Sequence, residues 1–521
     1  MSGKQNKQGF VIAGLLLAIL MASMDNSIMA TAMGSIIGEL GGFDKFVWAT
    51  SAYMVAEMAG MPIFGKLSDM YGRKRFFIFG IVMFMLGSIL CGTADSMVQL
   101  SVYRAVQGIG AGALLPIVFT IMFDAVPSDQ RGKLSGLFGA VFGLSSIFGP
   151  LLGAYITDHI AWQWIFYINL PIGLVSTGMI ALFYKESREH SKQQIDWAGA
   201  ISLVGAIVCL IFAMELGGKQ YAWDSVQIEG LFAGFVLLTA VFLYAEKRAK
   251  EPIISFQMFK NRLFATSNAL ALLSGAAFIT ASVYIPIFVQ GVLGGTATNS
   301  GLILLPMMLG TVVTATMGGM LISKFSYRSI MIPPLFVLAA GFALLTTLTP
   351  DSSRLVITVY MIMIGLGIGA SFSVLSNSVI HSFPLNQRGA ANSTLGFLRS
   401  FGMMLGITVF GILQNHSMSR KLTEAFAGSD QASLARDLNL SDPHSLMNPA
   451  TRAQIPPEAL SRITNGLSSS ILDAFAWSLV PALLALAVAF LMGKEKHEAE
   501  PSVASRSPRP EPALGGLEGN A

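Results

Sequence analysis

Runs of membrane length, recurring from one end of the chain to the other, restrict this sequence more than any other feature in it. A helix needs about 20 mostly apolar residues to cross the hydrocarbon core of a bilayer. Read with that ruler, the chain offers fourteen spans, at 10–33, 47–64, 76–93, 99–124, 134–156, 164–184, 197–216, 227–245, 263–290, 298–322, 330–349, 355–381, 390–413 and 470–493. Only 12% of the residues are charged, about half the share of a soluble domain, and the mean hydropathy is +0.63. A chain so apolar cannot cover a surface that faces water all round. It reads as an all-α polytopic membrane protein. The first run follows Lys4 and Lys7 like a signal peptide, yet it is long, carries Asp25 and opens a series of similar spans, so it is expected to be retained. Cys91 and Cys209 both fall inside apolar runs, where they are expected to be small buried side chains rather than a disulfide pair.

Lysine and arginine set the expected orientation. With the N-terminus in the cytoplasm, the cytoplasmic segments up to the turn before span 13 hold 19 basic residues, whereas the opposite short loops hold Lys45, Lys219 and Arg354. Such asymmetry places the basic side inside. A long loop, 414–469, falls on the outside, and the tail 494–521, rich in Pro, Ser and charge, reads as disordered and cytoplasmic.

An internal repeat orders the spans. Pro127, Gln130, Arg131 and Gly132 recur as Pro384, Gln387, Arg388 and Gly389, a spacing of 257. Val102-Tyr103-Arg104 with Gly108, Gly110 and Gly112 returns at the same spacing as Val359-Tyr360-Met361 with Gly365, Gly367 and Gly369. A weaker echo, at 254, sets Gly65, Leu67, Tyr71 and Lys74 against Gly319, Leu321, Phe325 and Arg328. Two six-span halves, 1–184 and 263–493, are therefore expected to be related in parallel, with spans 7 and 8 (185–262) inserted between them. Parallel halves are a transporter architecture with its substrate site between them near the midplane. The copies differ in chemistry: Asp69, Arg104 and Pro150 face Ser323, Met361 and Ile407.

The stretch Gly65-Lys-Leu-Ser-Asp69-Met-Tyr-Gly72-Arg73-Lys74-Arg75 places five charges and two glycines between two spans. Glycine permits the backbone angles of a tight reversal, the basic residues resist translocation, and Asp69 suits a helix N-terminus. Span 5 carries Gly136, Gly139, Gly143, Gly149 and Gly153 beside Pro150. Small residues let membrane helices approach closely, and the proline bends the helix locally.

Together these stretches resemble the major facilitator superfamily, and within it the fourteen-span drug:proton antiporters. The 65–75 loop matches that superfamily's G-x-L-S/A-D-x-x-G-R-R/K motif, Tyr103-Arg104 through Gly112 its fourth-span arginine motif, and Gly143 through Gly149-Pro150 to Gly153 its antiporter motif. Met24-Asp25-Asn26 resembles the first-span acidic motif of the drug antiporters, and the stretches from Trp162 to Gly173 and from Glu251 to Arg262 fit the same group. Ala154 departs from the pattern, standing where a second glycine is common. The resemblance implies a major facilitator fold with two six-helix halves and two inserted helices, in a bacterial inner membrane. It also implies a cytoplasmic latch of Gly65, Asp69, Gly72, Arg73, Arg75 and Asp124, in which Asp69 meets the start of span 13 near Gly389–Asn392 and Arg73 pairs with Asp124. Such a latch favours the outward-open state; a plain topology anchor is the other reading. For Gly143, Gly149, Pro150 and Gly153 it implies a contact sealed against proton leak, against simple close packing.

Ionisable groups at membrane depth are expensive, and a functional role is their default. At 1.5 Å per residue, Asp25 lies about 22 Å along span 1 and Glu57 about 15 Å into span 2, with Arg104 in the outer third of span 4. The three are candidates for one proton and cation site: Asp25 as the main carboxylate, Glu57 as the second, Arg104 as the charge that tunes them. The alternative is a static ion-paired trio. Glu215 and Asp473 read as wetted boundary residues, Arg399 as an arginine without an assigned partner, and His381 as a boundary histidine.

No metal-ligand spacing, nucleophile motif or phosphate loop occurs, which argues against a membrane enzyme. The expected function is proton-coupled export of lipophilic, cationic compounds, with uptake or export of a specific metabolite as the rival. No cofactor is called for beyond the proton gradient. The expected partners are small cationic or lipophilic molecules, protons and the lipid bilayer, not nucleic acid. The chain is expected to act as a monomer; a periplasmic adaptor depends on the type of cell envelope.

Overall fold

The computed structural model describes residues 2–41, 46–126, 128–186, 196–218, 220–295, 297–426 and 456–493. The tail 494–521, the middle of the long loop, and Lys45, Pro127 and Lys219 lie outside the described residues. Fifteen α-helices follow one another among the described residues: α1 (Ser2–Leu40), α2 (Phe46–Tyr71), α3 (Arg73–Gly92), α4 (Met97–Ala125), α5 (Ser128–His159), α6 (Trp164–Tyr167), α7 (Asn169–Phe183), α8 (Trp197–Leu216), α9 (Val226–Arg248), α10 (Arg262–Ile287), α11 (Ala297–Leu321), α12 (Tyr327–Leu345), α13 (Arg354–His381), α14 (Arg388–Phe426) and α15 (Pro457–Leu491). Twelve segments among the same residues are long and apolar enough to cross a membrane, α6 and α7 together forming one of them. With α2 (26 residues) and α5 (32 residues), both packed among the others, the number reaches the fourteen expected. In hydrocarbon only a helix satisfies its backbone within one segment, and side-chain caps mark where helices leave it. Ser96, Asp196 and Asn261 accept from the amides of Gln99, Gly199 and Phe264 at 3.3, 2.9 and 3.0 Å.

Within the first half, α4 packs on α2 and α3, and α1 on α5 and α7. The second half repeats the pattern, α13 packing on α11 and α12, and α10 on α14 and α15. Contacts between the halves repeat as well: α5 lies on α11, and α14 lies on α2. The helices α8 and α9 form a hairpin against α2. The amide of Gln8 at the start of α1 reaches the carbonyl of Ala125 at the end of α4 at 3.1 Å. The chain's N-terminal end, the α2–α3 turn and the end of α4 thus share one side, the basic face.

One expectation changes. Residues 414–426 and 456–469, read from sequence as outer loop, are largely helical, because α14 runs to Phe426 and α15 starts at Pro457. The two helices continue side by side: Gln414 Nε2 donates to Ser470 Oγ at 3.0 Å, Lys421 pairs with Asp473 at 2.6 Å, and Met418, Leu422 and Phe426 bury against α15. Asp473 is therefore half of an ion pair rather than a bare boundary residue. A hydropathy ruler stops where polar residues resume, although an apolar stripe there still holds two helices together.

Candidate functional site

The chemistry of the first half converges on Asp25. This residue of α1 is only 3% exposed, and Arg104 of α4 is fully buried. Arg104 Nη1 donates to Asp25 Oδ2 in a direct ion pair and to Gln107 Oε1 at 2.6 Å. Asp25 Oδ1 accepts from Gln107 Nε2 at 2.7 Å and from Asn169 Nδ2, at the start of α7, at 3.0 Å. Ser88 of α3 ties the two amides together, accepting from Gln107 at 2.9 Å and from Asn169 at 3.3 Å. Three helices thus meet at one carboxylate, and a fourth, α3, supports it through Ser88. The guanidinium also lies 4.1 Å from the ring centroid of Tyr53 on α2, in cation–π geometry. Its Nε and Nη2 atoms are buried with no hydrogen-bond partner among the described residues. In a medium of low dielectric such a half-satisfied network has much to gain from a second acceptor.

That acceptor has a candidate one turn along α2. Glu57 is half-buried and makes no hydrogen bond or ion pair among the described residues. Of the three groups singled out in the sequence, the fold joins Asp25 and Arg104 directly, while Glu57 makes no ion pair with either among the described residues but lies near enough for both charges to act on it. In this conformation Asp25 has both oxygens occupied and offers no open face to a ligand.

On the basic face, α2 and α3 are joined through Gly72 alone, whose φ of 110° falls where side chains are disfavoured. Asp69 Oδ2 accepts from the amide of Ala390, in the first turn of α14, at 2.9 Å, where the helix dipole favours an anion. Asp69 Oδ1 holds Arg73 Nη2 at 3.0 Å, and Arg73 also pairs with Asp124. The backbone amide of Arg73 donates to Glu186 Oε1 at 2.6 Å. Gly65 lies against Ser393 and Gly389, so a side chain there would collide with α14. A second bond joins the halves nearby, from Asn392 Nδ2 to the Pro116 carbonyl at 3.3 Å. Arg75 is exposed. The basic face is closed.

In α5, Gly149 and Gly153 are buried, Pro150 is half-buried inside the helix, and Gly143 sits two turns earlier. A Cβ at Gly149 would collide with Ser27, two residues after Asp25, and Ser27 Oγ donates to the Ser145 carbonyl at 2.9 Å. The glycine-rich helix thus presses directly on the stretch of α1 that carries the carboxylate.

With this geometry in hand, comparison with known proteins decides the family. Residues 15–407 match the Major Facilitator Superfamily. The chain belongs to that superfamily. It is a transporter rather than an enzyme. Multidrug resistance protein 3 of Bacillus subtilis (strain 168) is 54% identical over 496 residues, covering 95% of this chain and 97% of that protein. The multidrug transporter protein MdtP of the same organism is 36% identical, covering 93% of this chain and 92% of its own. Among solved structures, the human organic anion transporter MFSD10 (TETRAN) aligns with a TM-score of 0.60 over 92% of this chain and 99% of its own, at 14% identity. The proton:xylose symporter XylE aligns with a TM-score of 0.59 over 92% of this chain and 95% of its own, also at 14% identity. These two share the fold.

Several groups around this transporter's sites carried no signal in the sequence. Ser88 fixes the two amides that hold Asp25, yet it is an ordinary polar residue in an apolar helix. Glu186 sits in a charged linker, where nothing distinguished it before it met the Arg73 amide, and Glu251, singled out only as the first residue of the stretch to Arg262, pairs with Lys66 at 2.6 Å. Glu246 is 4% exposed and accepts from the amide of Ile253 at 3.1 Å, closing the end of the α8–α9 hairpin.

Proposed function

We propose that this chain is a proton-coupled antiporter that exports lipophilic, chiefly cationic compounds from the cytoplasm of a bacterial cell by alternating access. Its two multidrug relatives cover nearly its whole length and support drug efflux as the task. The observation that carries the coupling is the buried Asp25–Arg104 pair with Glu57 near it, a carboxylate that has no ion pair among the described residues. A proton delivered to Asp25 weakens its hold on Arg104, whose two unpartnered nitrogens then turn toward Glu57. A cation seated at Glu57 competes with Arg104 for the same carboxylate. Cargo and proton therefore bias Arg104 in opposite senses, the exclusion that exchange requires.

The reading places both termini and the basic face in the cytoplasm. The bonds from Asp69 to Ala390 and from Asn392 to Pro116 then close the cytoplasmic side, and their release opens it. The role of Gly149 and Pro150 in this scheme is to hold α5 hard against α1 at Ser27, leaving no gap beside the proton site.

Inside-out membrane vesicles containing the protein test the proposal. With an acid interior, ethidium should accumulate, nigericin should abolish accumulation, and adding ethidium should release protons from the lumen. Absence of ethidium movement, with gradient-driven accumulation of a metabolite by intact cells, would show a symporter instead. Asp25→Asn should separate cationic from neutral cargo.

A further inference from the structure

The second half holds one arginine at membrane depth that the coupling scheme does not use. Arg399 of α14 reaches between α10 and α13, where its Nη2 donates to the Ser371 carbonyl at 3.1 Å and its guanidinium lies 4.6 Å from the centroid of Phe372. Its Nε is buried without a hydrogen-bond partner, and no carboxylate pairs with it among the described residues. Ser274, Phe278, Phe372 and Met403 line the narrow crevice around it. The contrast with Arg104 is direct: one guanidinium has its carboxylate, the other has a carbonyl and a ring.

Its place relative to Glu57 follows from helix register. Along the antiparallel contact of α2 with α14, Gly65 meets Ser393 and Met61 meets Gly396. One turn farther from the basic face, Glu57 lies on the same side of α2 as Met61 and Gly65 and comes level with Arg399 and Ser400, because residues four apart share a helix face. The two halves thus bring to one depth, among the described residues, a carboxylate without an ion pair and a guanidinium without a carboxylate.

We infer that Arg399 is the anion-binding arm of the cargo site, and that the site therefore takes aromatic amphiphiles carrying a carboxylate as well as a cation. The inference rests on the transport reading above. A guanidinium presents a planar fork of donors that fits a carboxylate, and an uncompensated charge away from water gains strongly from one. Phe278 and Phe372 supply the apolar contact for an aromatic body, and Met403 adapts to its outline. The cationic end is drawn to Glu57.

A matched pair of dyes isolates the carboxylate. Rhodamine 110 carries it free, and rhodamine 123 carries it as the methyl ester on the same cationic xanthene. Transport of both by inside-out vesicles, and binding of both to the purified full-length protein by fluorescence polarisation, should be compared for wild type, Arg399→Gln and Arg399→Lys. Arg399→Gln should lower the rhodamine 110 to rhodamine 123 ratio at least about tenfold in transport and in binding, a difference of about 1.4 kcal/mol. Arg399→Lys should keep most of the preference. An unchanged ratio, an equal loss for both dyes, or a wild type that does not bind rhodamine 110 would overturn the inference. If the binding difference appears while neither dye crosses the membrane, the transport reading falls and the subsite stands.

Discussion

The two halves pack alike and differ in what they carry. In α4, the positions of Gly108, Gly110 and Gly112 lie against the backbone of Tyr53, Phe84 and Glu57; in α13, Gly365, Gly367 and Gly369 lie against Met307, Leu338 and Thr311. Each partner in the second half sits 254 residues after its counterpart, so the repeat keeps the same crossings of the same helices. Tyr53, Glu57 and Arg104 in one copy are Met307, Thr311 and Met361 in the other. On the basic face, Asp69 of the first copy grips the start of α14, whereas among the described residues Ser323 in the second bonds to the carbonyl of Met320, within its own segment, at 3.2 Å. The close approach of backbones is a requirement of the fold and is met twice. Charge at membrane depth is costly and is mostly kept where it is used, in the first half.

The largest test of this asymmetry is to write the second half's residue into the first. Arg104→Met strands Asp25 as a buried charge and should cost about 3–5 kcal/mol, read as a lower melting temperature in detergent together with loss of ethidium transport. Adding Asp25→Asn should restore most of the stability and none of the proton-driven transport. Recovery of coupled transport in the double variant would break the assignment of the pair.

Asp69→Asn removes two charge-assisted bonds while keeping the shape, a loss of about 1.5–3 kcal/mol on the basic-face-closed state. Faster labelling of a cysteine placed at Ser393, with membrane insertion unchanged, would be the expected result. Failed insertion would identify the loop as a topology anchor.

Gly108→Ala and Gly365→Ala test what the halves share. Each forces a Cβ into a partner's carbonyl and should cost about 1–3 kcal/mol, with similar falls in melting temperature. A large effect in one half alone would show that the packing is less symmetric than the paired contacts indicate. The smallest stability effect belongs to Glu57→Gln, which breaks no bond and should change stability by less than about 0.5 kcal/mol, yet should lower ethidium exchange about tenfold or more. Unimpaired exchange would move the cargo site away from Glu57.

Part of this arrangement is legible in the order of residues alone, and the reason is physical. Asp25 and Arg104 stand out because a charge inside an apolar run is rare, and the Asp69 loop because charges and glycines crowd between two spans. That Glu57 stays outside the ion pair is not legible, since depth along a helix says nothing about the direction a side chain takes. Gln107, Ser88 and Asn169 give no sign of surrounding Asp25, because a polar residue among apolar ones fits many roles. The helical extensions of α14 and α15 are hidden for another reason: two helices supporting each other need only one apolar stripe.

The sequence by itself determined that the chain crosses a membrane many times and that its plan is duplicated. Partition into a bilayer is a property of about 20 neighbouring residues, and a repeat is visible wherever residues recur in order. Only the tertiary structure decided which groups meet. Asp25 is held by an arginine 79 positions away, and Asp69 by an amide 321 positions away. Such pairings follow from how helices dock and in which register. Docking is set by shape across the whole bundle, at glycine contacts such as Gly149 on Ser27.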